Sequence, residues 1–525
     1  MLFERNTKSG TQQAAKKSEL PLATQSVCPE CNKVLEAQLY DWEGQIWMYK
    51  ACDQHGSFNE LICSDKEFFL MRRRRHFELC SPMQNPQTSS SANCPHECGI
   101  CNQHKSSPCL VNIDLTNRCN LNCPICFANS NATGRLTELS LEQLEDILDR
   151  VMDIRPYPPL SIQYAGGEPT VHPQFLDAVK MAKDKGVLDL QAASNGLLFA
   201  KKPEFAQQAA DAGLDVVYLQ FDGMSDDIYK YSRGRELYDI KMQAIENMKQ
   251  AGIMVTLVPT IVRGLNDHQL GDILKFAINN TDVVTALSFQ PVSITGRIDE
   301  SKRLEMRYTM ADMARDLQNQ TGILDMYQDW QPFSVISPVS RLLENMTDTP
   351  KMYFSCHPHC GAASYLVVDR YTGEAVPITQ FIDIEGAMRD MNKEAESLEN
   401  HAAWRKKLTR LQLLRKLKKH YKPEKAPEGI DFDSLIDFVN TFLEAESTHN
   451  NRQKGHIYHK IGDRYHVLLL AAMHFQDSYN FELDRVQHCV IHYGSPDGRL
   501  YPFCTWNSGP CHRYAVEEQY STPLK

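Results

Sequence analysis

Between residues 111 and 292, short apolar runs alternate with longer segments whose apolar residues recur at helical spacing. The short runs predict buried strands, and the periodic segments predict amphipathic helices. The six predicted strands are 111–116, 160–165, 188–194, 215–221, 254–261 and 286–292. The five predicted helices between them are 140–154, 172–185, 203–212, 237–251 and 267–279.

Strands that alternate with helices at this spacing predict an α/β fold with a parallel sheet and right-handed crossovers. In such folds the functional residues gather where the strands end. Ser140 precedes the first predicted helix, but Glu142 follows it by two positions rather than three. We therefore give a capping box at Ser140 little weight.

Three cysteines follow the first predicted strand in a C-x3-C-x2-C pattern: Cys119, Cys123 and Cys126. Three thiolates this close together can hold three corners of a cubane iron–sulfur cluster and leave the fourth iron to a non-protein ligand. Structural clusters usually close with a fourth cysteine, so the pattern indicates chemistry rather than scaffolding. The end of the second predicted strand carries the turn GGEPT, Gly166–Thr170.

The triplet and the GGEP turn, placed after successive strands, resemble the radical S-adenosylmethionine (SAM) superfamily. The resemblance implies a partial (β/α)6 radical SAM barrel in which Cys119, Cys123 and Cys126 ligate a [4Fe–4S] cluster and act in catalysis. It also implies that the reduced cluster passes one electron to SAM, which releases a 5′-deoxyadenosyl radical that abstracts hydrogen from the substrate.

The same resemblance implies SAM contacts at the turn. Gly166 and Gly167, followed by Pro169, would let the backbone approach SAM, and Glu168 would pair with its ammonium group. Polar residues after the later strands are further candidates for SAM contacts, although residues of these types also cap helices and form turns. These candidates are Ser194, Asn195, Gln220, Asp222, Arg263 and Asn266.

The chain has 525 residues, 42% of them apolar, and a formal charge of −10. The length predicts several domains, and the charge argues against a nucleic-acid partner. No apolar run reaches the roughly 18 residues that a membrane span needs, and the N-terminus lacks the apolar core of a signal peptide. The 17 cysteines at metal-ligand spacing therefore predict metal sites in a reducing cytoplasm rather than disulfides.

Two further metal sites are predicted before the barrel. Four cysteines of the run 94–109 can enclose a second four-iron cluster, with zinc as the rival metal; they are Cys94, Cys98, Cys101 and Cys109. Farther upstream, Cys28 and Cys31 precede Cys52 and His55 in a pattern typical of zinc ribbons and rubredoxin-like iron sites. Cys63 is the alternative to His55 as the fourth ligand of this mononuclear Fe or Zn site.

Cysteines of the last third predict a third cluster, for which we favour Cys356, Cys360, Cys489 and Cys504 over Cys511. We expect His357 and His359 to be loop residues, and Cys63 and Cys80 to be buried free thiols.

The domains predicted in this way are a disordered tail (1–26), a zinc-ribbon-like or rubredoxin-like module (27–80), a linker with the four-cysteine segment (81–110), the radical SAM core (111–330) and a C-terminal auxiliary iron–sulfur domain (331–525).

The order of the metal motifs over residues 27–515 resembles a branch of the superfamily with two known kinds of enzyme. These are methylases of a hydroxymethyl-dihydropterin and the archaeal tetraether lipid synthases. We expect hydrogen abstraction from an sp3 carbon, with carbon–carbon coupling of lipid chains preferred over methylation of a pterin or another small metabolite. The hypothesis from another class is a non-catalytic iron–sulfur redox protein. A reduced ferredoxin or flavodoxin-type donor would supply electrons.

One segment bears on a membrane partner. Residues 404–422 combine leucines at helical spacing with a dense basic face, which is typical of helices that lie on anionic membranes. The alternative is a surface helix whose leucines pack on the domain. The run Arg72–Arg75 is expected to be a solvated face that could also bind phosphate headgroups.

Overall fold

The computed structural model describes residues 20–88, 93–131, 134–399, 413–445 and 460–523. The strands of these ranges, in chain order, are β1 (Leu22–Val27), β2 (Val34–Trp42), β3 (Gln45–Cys52), β4 (Gly56–Cys63), β5 (Leu110–Thr116), β6 (Arg135–Leu136), β7 (Ser161–Gly166), β8 (Asp189–Ser194), β9 (Val216–Gln220), β10 (Met254–Val258), β11 (Thr260–Ile261), β12 (Val284–Pro291), β13 (Gln331–Pro332), β14 (Gly361–Asp369), β15 (Ala375–Pro377), β16 (Lys460–Ile461), β17 (Tyr465–Met473), β18 (Ile491–Gly494), β19 (Leu500–Pro502) and β20 (Thr522–Pro523).

Most helices lie between the strands of the large sheet or follow them. The α-helices of the described residues are Lys66–Arg75, Leu141–Met152, Phe175–Asp184, Leu197–Lys201, Pro203–Ala212, Asp226–Arg233, Tyr238–Ala251, Leu270–Asn279, Arg303–Met306, Met310–Thr321, Ser337–Thr347, Ile378–Phe381, Ile384–Leu398, Phe432–Ala445, Leu483–Gln487, Phe503–Asn507 and His512–Tyr520.

The N-terminal sheet is an antiparallel meander of β1, β2, β3 and β4. The predicted disordered tail 1–26 is wrong for residues 22–26, because they belong to β1 and pair with β2. Residues 1–19 lie outside the described ranges. The strand is also tied to the C-terminal part of the chain, since Thr24 Oγ1 donates to Glu482 Oε1 at 3.1 Å. Partners this distant leave no signal in local composition.

The predicted six-stranded unit is confirmed. β5, β7, β8, β9, β10 and β12 lie side by side in that order, and all their pairings are parallel. The predicted bounds agree with the observed ones to within two residues except at 254–261. There the strand is interrupted at Pro259, which has no N–H to donate to the sheet.

The two faces of this sheet differ in polarity. Ile162 and Tyr164 of β7 belong to the apolar core between the sheet and its helices, and the Tyr164 hydroxyl donates to the Ala178 carbonyl of a flanking helix. Because side chains of a strand alternate between faces, Gln163 lies on the opposite face. There its amide donates to Gln191 of β8. The face away from the helices therefore carries polar side chains.

Residues 331–525, predicted as a separate auxiliary domain, contribute strands to both edges of the same sheet. β17 pairs in parallel with β12, and β18 pairs in parallel with β5. β14 then adds antiparallel to β17. The last third of the chain is thus hydrogen-bonded to the first and last strands of the six-stranded unit.

Ser140 caps its helix, contrary to the low weight given from sequence to a capping box there. Its hydroxyl accepts from the Gln143 amide at 3.2 Å, and the Gln143 side chain accepts from the Ser140 amide at 2.9 Å. This is a complete capping box, and it needs glutamine or glutamate three positions after the cap. Glutamine at 143 supplies the acceptor that Glu142, at the second position, cannot.

The run Arg72–Arg75 is not a fully solvated face. The Arg72 side chain is buried and donates to the Pro358 and Gly361 carbonyls, with Arg73 and Arg75 partly buried beside it. Burial lowers the pKa of Arg72 to about 10, although nearby cysteines oppose the shift. Its role is to join the N-terminal helix to the segment before β14.

Of the basic segment 404–422, residues 404–412 lie outside the described ranges. In the described remainder, Leu413 and Leu417 pack against Leu342, Ala395 and Leu398. Packing on the domain agrees with the alternative of an ordinary surface helix. None of the helices in the described part of the chain has the length and apolarity needed to cross a membrane.

Candidate active site and metal centres

The cysteine triplet follows directly on β5. Cys123 is buried, and Cys119 and Cys126 are partly buried against an apolar cluster that includes Leu121 and Tyr229. Burial raises the pKa of the Cys119 thiol to about 12, and the neighbouring Glu168 carboxylate and the two other thiols add to the shift. Three buried or partly buried thiols close enough to oppose one another's ionisation form a donor set that a metal cluster fits, because its positive charge replaces their protons.

One clamp on the triplet loop is a buried ion pair. Arg233 donates from Nε to Asp222 Oδ2 at 2.5 Å and from Nη1 to the Ile125 carbonyl at 2.6 Å. Asp222 Oδ1 also accepts from the Thr260 amide at 3.1 Å. Asp222, predicted to contact SAM, is therefore fully buried and occupied in fixing the loop between Cys123 and Cys126.

The second clamp comes from beyond β12. Arg297 Nη1 donates to Asn122 Oδ1 at 2.6 Å and to the Cys123 carbonyl at 3.0 Å, and its backbone N–H donates to the Cys126 carbonyl at 3.0 Å. Gly296 allows this approach, since a Cβ built on it would lie 2.3 Å from the Cys126 oxygen. Both clamps hold backbone carbonyls and so set the spacing of the three thiols.

Gly296→Ala is expected to displace the loop and reduce the iron bound at the triplet. Gly264→Ala is the matched control, because the two glycines have similar φ values, +69° and +75°, but a Cβ at Gly264 meets nothing within 4 Å. Strain of about 1–2 kcal/mol is common to both variants, and the clash at Gly296 adds about 1–3 kcal/mol. Thermal unfolding and iron content after anaerobic reconstitution measure the difference; equal losses in the two variants would contradict the clamp.

The GGEP turn packs directly on the strand that carries the triplet. The Gly167 N–H donates to the Thr116 carbonyl at 2.7 Å, and the Glu168 N–H donates to the Arg118 carbonyl at 2.8 Å. Gly166 has a φ of +118°, and a Cβ there would lie 2.2 Å from the Thr116 oxygen. Only glycine fits this approach. The turn is thus hydrogen-bonded to the residues that lead into the triplet, at the end of the sheet that both were predicted to share.

The Glu168 carboxylate is engaged within the protein. Oε1 accepts from the hydroxyls of Thr170 (2.6 Å) and Ser194 (2.8 Å), and Oε2 accepts from the Asn195 N–H at 2.7 Å. Burial raises the pKa of Glu168, and these hydrogen bonds oppose the shift. Ser194 and Asn195, predicted as SAM contacts, here join the turn to the end of β8 through Glu168.

Two other predicted SAM contacts, Asn266 and Arg263, bond to other parts of the protein. Asn266 donates to the Asp222 and Thr260 carbonyls and accepts from the Val262 N–H. Arg263 pairs with Asp312. Sequence reasoning missed Arg233, Arg297 and Gly296, because an arginine or a glycine far along the chain gives no local signal of the loop that it contacts.

Lys241 was also missed. It is fully buried and donates from Nζ to the Asn195 carbonyl at 2.6 Å. Burial lowers the pKa of Lys241 to about 8, while Asp222 opposes the shift. A lysine inside a predicted helix is expected to be exposed to solvent, so the sequence gives no indication of this contact.

The four residues predicted as ligands of the N-terminal metal site lie close together. The ligand atoms of Cys28, Cys31, Cys52 and His55 all lie within 4.8 Å of one another, and His55 Nδ1 is 3.6 Å from Cys28 Sγ and 3.5 Å from Cys52 Sγ. The β1–β2 turn supplies two ligands, and the β3–β4 turn supplies the other two. The four donors fit one tetrahedral metal ion with His55 as the fourth ligand. Cys63 instead donates to the Asp65 carbonyl.

Of the four cysteines in 94–109, three lie together and Cys109 lies apart. Cys94, Cys98 and Cys101 line one cavity of about 370 Å³ and repeat the C-x3-C-x2-C spacing of the triplet. Burial, with the neighbouring thiols, raises the pKa of Cys94 to about 12. Cys109 does not line this cavity and packs with Cys356 and Val490, because it begins the approach to β5 beside β18.

The C-terminal cysteines converge from distant segments. Burial raises the pKa of Cys489 well above its ordinary value, and the nearby Cys504 and Cys360 thiols add to the shift. Burial likewise raises the pKa of Cys356, and the neighbouring thiols of Cys360, Cys109 and Cys489 add to the shift. Five thiols therefore surround this centre.

The remaining predictions for single cysteines and histidines have mixed outcomes. Cys511 lies apart, with its thiol on the Trp506 carbonyl at 3.5 Å. Cys80, predicted to be buried, is exposed. His357 and His359 are buried, and His359 stacks on Phe69 at 3.8 Å.

Two family models match the chain. The radical SAM superfamily matches residues 113–277, and the HMPTM N-terminal zinc ribbon domain matches residues 20–64. A 7,8-dihydro-6-hydroxymethylpterin dimethyltransferase of Methanocaldococcus jannaschii is 38% identical over 505 residues, 96% of each chain. A probable GTP 3′,8-cyclase of Thermococcus kodakarensis is 30% identical over 183 residues, 34% of this chain and 56% of that relative.

Solved structures show weaker similarity. Streptococcus suis SuiB bound to S-adenosylmethionine matches with a TM-score of 0.34 at 18% identity and covers 41% of this chain and 47% of its own. The enzyme anSMEcpe with bound AdoMet matches with a TM-score of 0.34 at 14% identity and covers 65% and 98%. The family models and the full-length relative show that this chain belongs to the radical SAM superfamily of enzymes.

Proposed function

We propose that this enzyme catalyses the radical methylation of a pterin or a related small metabolite. Its full-length relative is named as a dimethyltransferase of a dihydro-hydroxymethylpterin. The superfamily implies a [4Fe–4S] cluster, SAM and a reductant. The lipid coupling that we preferred from sequence has no support in the comparisons.

The main support for this proposal is the polarity of the sheet face that points away from the helices. Coupling of lipid chains needs a long apolar channel, whereas a pterin needs a compact pocket with well-placed polar groups. The side chains opposite the helices are polar on neighbouring strands: Gln163 donates to Gln191 at 3.0 Å, and the Tyr218 hydroxyl donates to Ser288 at 2.7 Å. These pairs use only part of the hydrogen-bonding capacity of amide and hydroxyl groups. The polar atoms of a pterin could satisfy the remainder, whereas a lipid chain could not.

The residues around the triplet have distinct roles in this proposal. When bound, the reduced cluster and SAM supply the radical that abstracts hydrogen. Cys119, Cys123 and Cys126 would hold the cluster. The glycines of the GGEP turn would let SAM approach the backbone, and the Arg233 and Arg297 clamps would keep the loop in place.

The other centres extend the proposal. Cys94, Cys98 and Cys101 would hold a second cluster, and a third would lie among the five thiols around Cys489, for a total of three clusters. Cys28, Cys31, Cys52 and His55 would hold one zinc or iron ion. A reduced ferredoxin or flavodoxin-type protein would supply the electrons.

The test supplies anaerobically reconstituted enzyme with dithionite, SAM and 6-hydroxymethyl-7,8-dihydropterin deuterated at its sp3 carbons. We expect deuterium in the 5′-deoxyadenosine product, because the radical takes hydrogen from the substrate, and methylated pterin once a methyl donor is present. Mass spectrometry detects both products, and extracted lipids serve as the rival substrate. Unlabelled 5′-deoxyadenosine formed at the same rate with and without pterin would contradict the proposal.

A further inference from the structure

A second cavity lies against the GGEP turn. It has a volume of about 470 Å³ including its open mouth, and Gly166 and Gly167 form part of its wall. Other parts of the wall come from the end of β5, the loop after the triplet, the end of β18 and the helices Phe503–Asn507 and His512–Tyr520. A ligand in this cavity would adjoin the predicted SAM site, as a substrate of a radical reaction must.

Polar groups on the cavity wall lack partners within the protein. The Arg513 side chain is 3% exposed, and its Nε has no acceptor among the described residues. Thr137 Oγ1, also on the wall, is buried and equally without a partner there. The other Arg513 nitrogens are engaged: Nη1 donates to Asn507 Oδ1 at 3.0 Å, and Nη2 donates to the Phe127 carbonyl at 3.3 Å. The guanidinium is therefore held in place while one donor stays unused.

The acceptors of the cavity are two carboxylates. Within the described residues, the Glu517 carboxylate receives no hydrogen bond, and Asp114 receives one, from Trp506 Nε1 to Oδ2 at 3.1 Å. Burial raises the pKa of Glu517 to about 7; Arg513 opposes this shift and Asp114 adds to it. Buried donors without partners, such as Arg513 Nε and Thr137 Oγ1, are costly, so a ligand that supplies acceptors to them would be bound favourably. The two half-buried carboxylates can accept hydrogen bonds from the donors of the same ligand.

We propose that this cavity binds the aminopyrimidinone ring of the pterin substrate, with Glu517 and Asp114 accepting hydrogen bonds from the 2-amino group and N3–H. Arg513 Nε and the Thr137 hydroxyl would donate to the ring carbonyl and to a ring nitrogen. Leu139, Val516 and the Trp506 ring line the wall and suit the faces of a flat heterocycle. This inference rests on the proposed function, since it assigns the recognition of that same substrate.

The test compares two ligands on the intact, SAM-loaded enzyme under anaerobic conditions. The ligands are 6-hydroxymethylpterin and 6-hydroxymethyl-lumazine, in which an oxo group replaces the 2-amino group. We expect native enzyme to prefer the pterin by about 10–100-fold in Kd by calorimetry, the range of one charge-assisted hydrogen bond. Glu517→Gln should remove most of this preference, and Asp114→Asn should reduce it.

Glu518→Gln is the matched control, since Glu518 is the exposed neighbour on the same helix; it should keep the preference. SAM affinity should be unchanged in all three variants, which also shows that they are folded. The inference is overturned if native enzyme binds both ligands equally, or if Glu517→Gln and Glu518→Gln behave alike. It is also overturned if Glu517→Gln weakens SAM rather than pterin, because the cavity would then belong to SAM.

Failure of this inference can be told apart from failure of the proposed function. If native enzyme transfers deuterium from the pterin but Glu517→Gln binds it normally, the function stands and only the assignment of the cavity is wrong. If native enzyme neither binds nor reacts with the pterin, both are wrong.

Discussion

Replacing Cys123 with alanine is expected to lower the rate of SAM cleavage to below about one thousandth of the native rate. Cys123 is the most deeply buried thiol of the triplet, and its carbonyl is held by Arg297. Without its thiolate the cluster would have two protein ligands instead of three. The measurement is 5′-deoxyadenosine formed per chain with dithionite as reductant.

Cys63→Ala is the control for this experiment. Cys63 is equally buried, but its thiol donates to the Asp65 carbonyl at 3.3 Å and takes no part in the metal site of its module. Burial raises the pKa of Cys63 to about 12, so it remains a neutral thiol. We expect this variant to cleave SAM at a near-native rate. Equal rates in the two variants would show that the triplet does not hold the catalytic cluster.

Asp222→Asn is expected to destabilise the region around the triplet by about 3–5 kcal/mol, because it leaves a buried guanidinium without its counter-charge. The side chains of Arg233 and Asp222 are 6% and 0% exposed. Burial alone would lower the pKa of Arg233, but the adjacent Asp222 raises it above its ordinary value. The amide of asparagine would also direct its own donors at those of Arg233. Hydrogen–deuterium exchange of the peptide 119–127 measures the loss of protection, and iron content measures its effect on the cluster.

Asp153→Asn tests whether this effect comes from burial. Asp153 pairs with Arg155 at 2.7 Å, but the two side chains are 68% and 52% exposed. Exposed pairs contribute at most about 1 kcal/mol, so this variant should keep native exchange rates and iron content. A similar loss of protection in both variants would contradict a clamping role for the buried pair.

Periodicity predicted the six parallel strands because each strand carries apolar residues on the face that meets its helices, as Ile162 and Tyr164 do in β7. The same local information placed the triplet and the GGEP turn at one end of the sheet. It also predicted the mononuclear site, since two turns with paired ligands imply one centre. The predictions that changed depend on contacts outside each short motif: Asp222 is occupied by Arg233, 11 residues along the chain, and Cys109 packs with the distant Cys356.

The sequence by itself determined the superfamily, the core strands and the grouping of candidate ligands within each short motif, because these depend on spacing over a few residues. Only the tertiary structure decided which distant groups meet: Arg297 with the triplet loop, Arg72 with the segment before β14, and Glu517 with Asp114 in one cavity. Such pairings depend on how the C-terminal strands dock on both edges of the sheet. A side chain that is buried by a remote segment has the same local pattern as one left in solvent, so no local pattern can distinguish them.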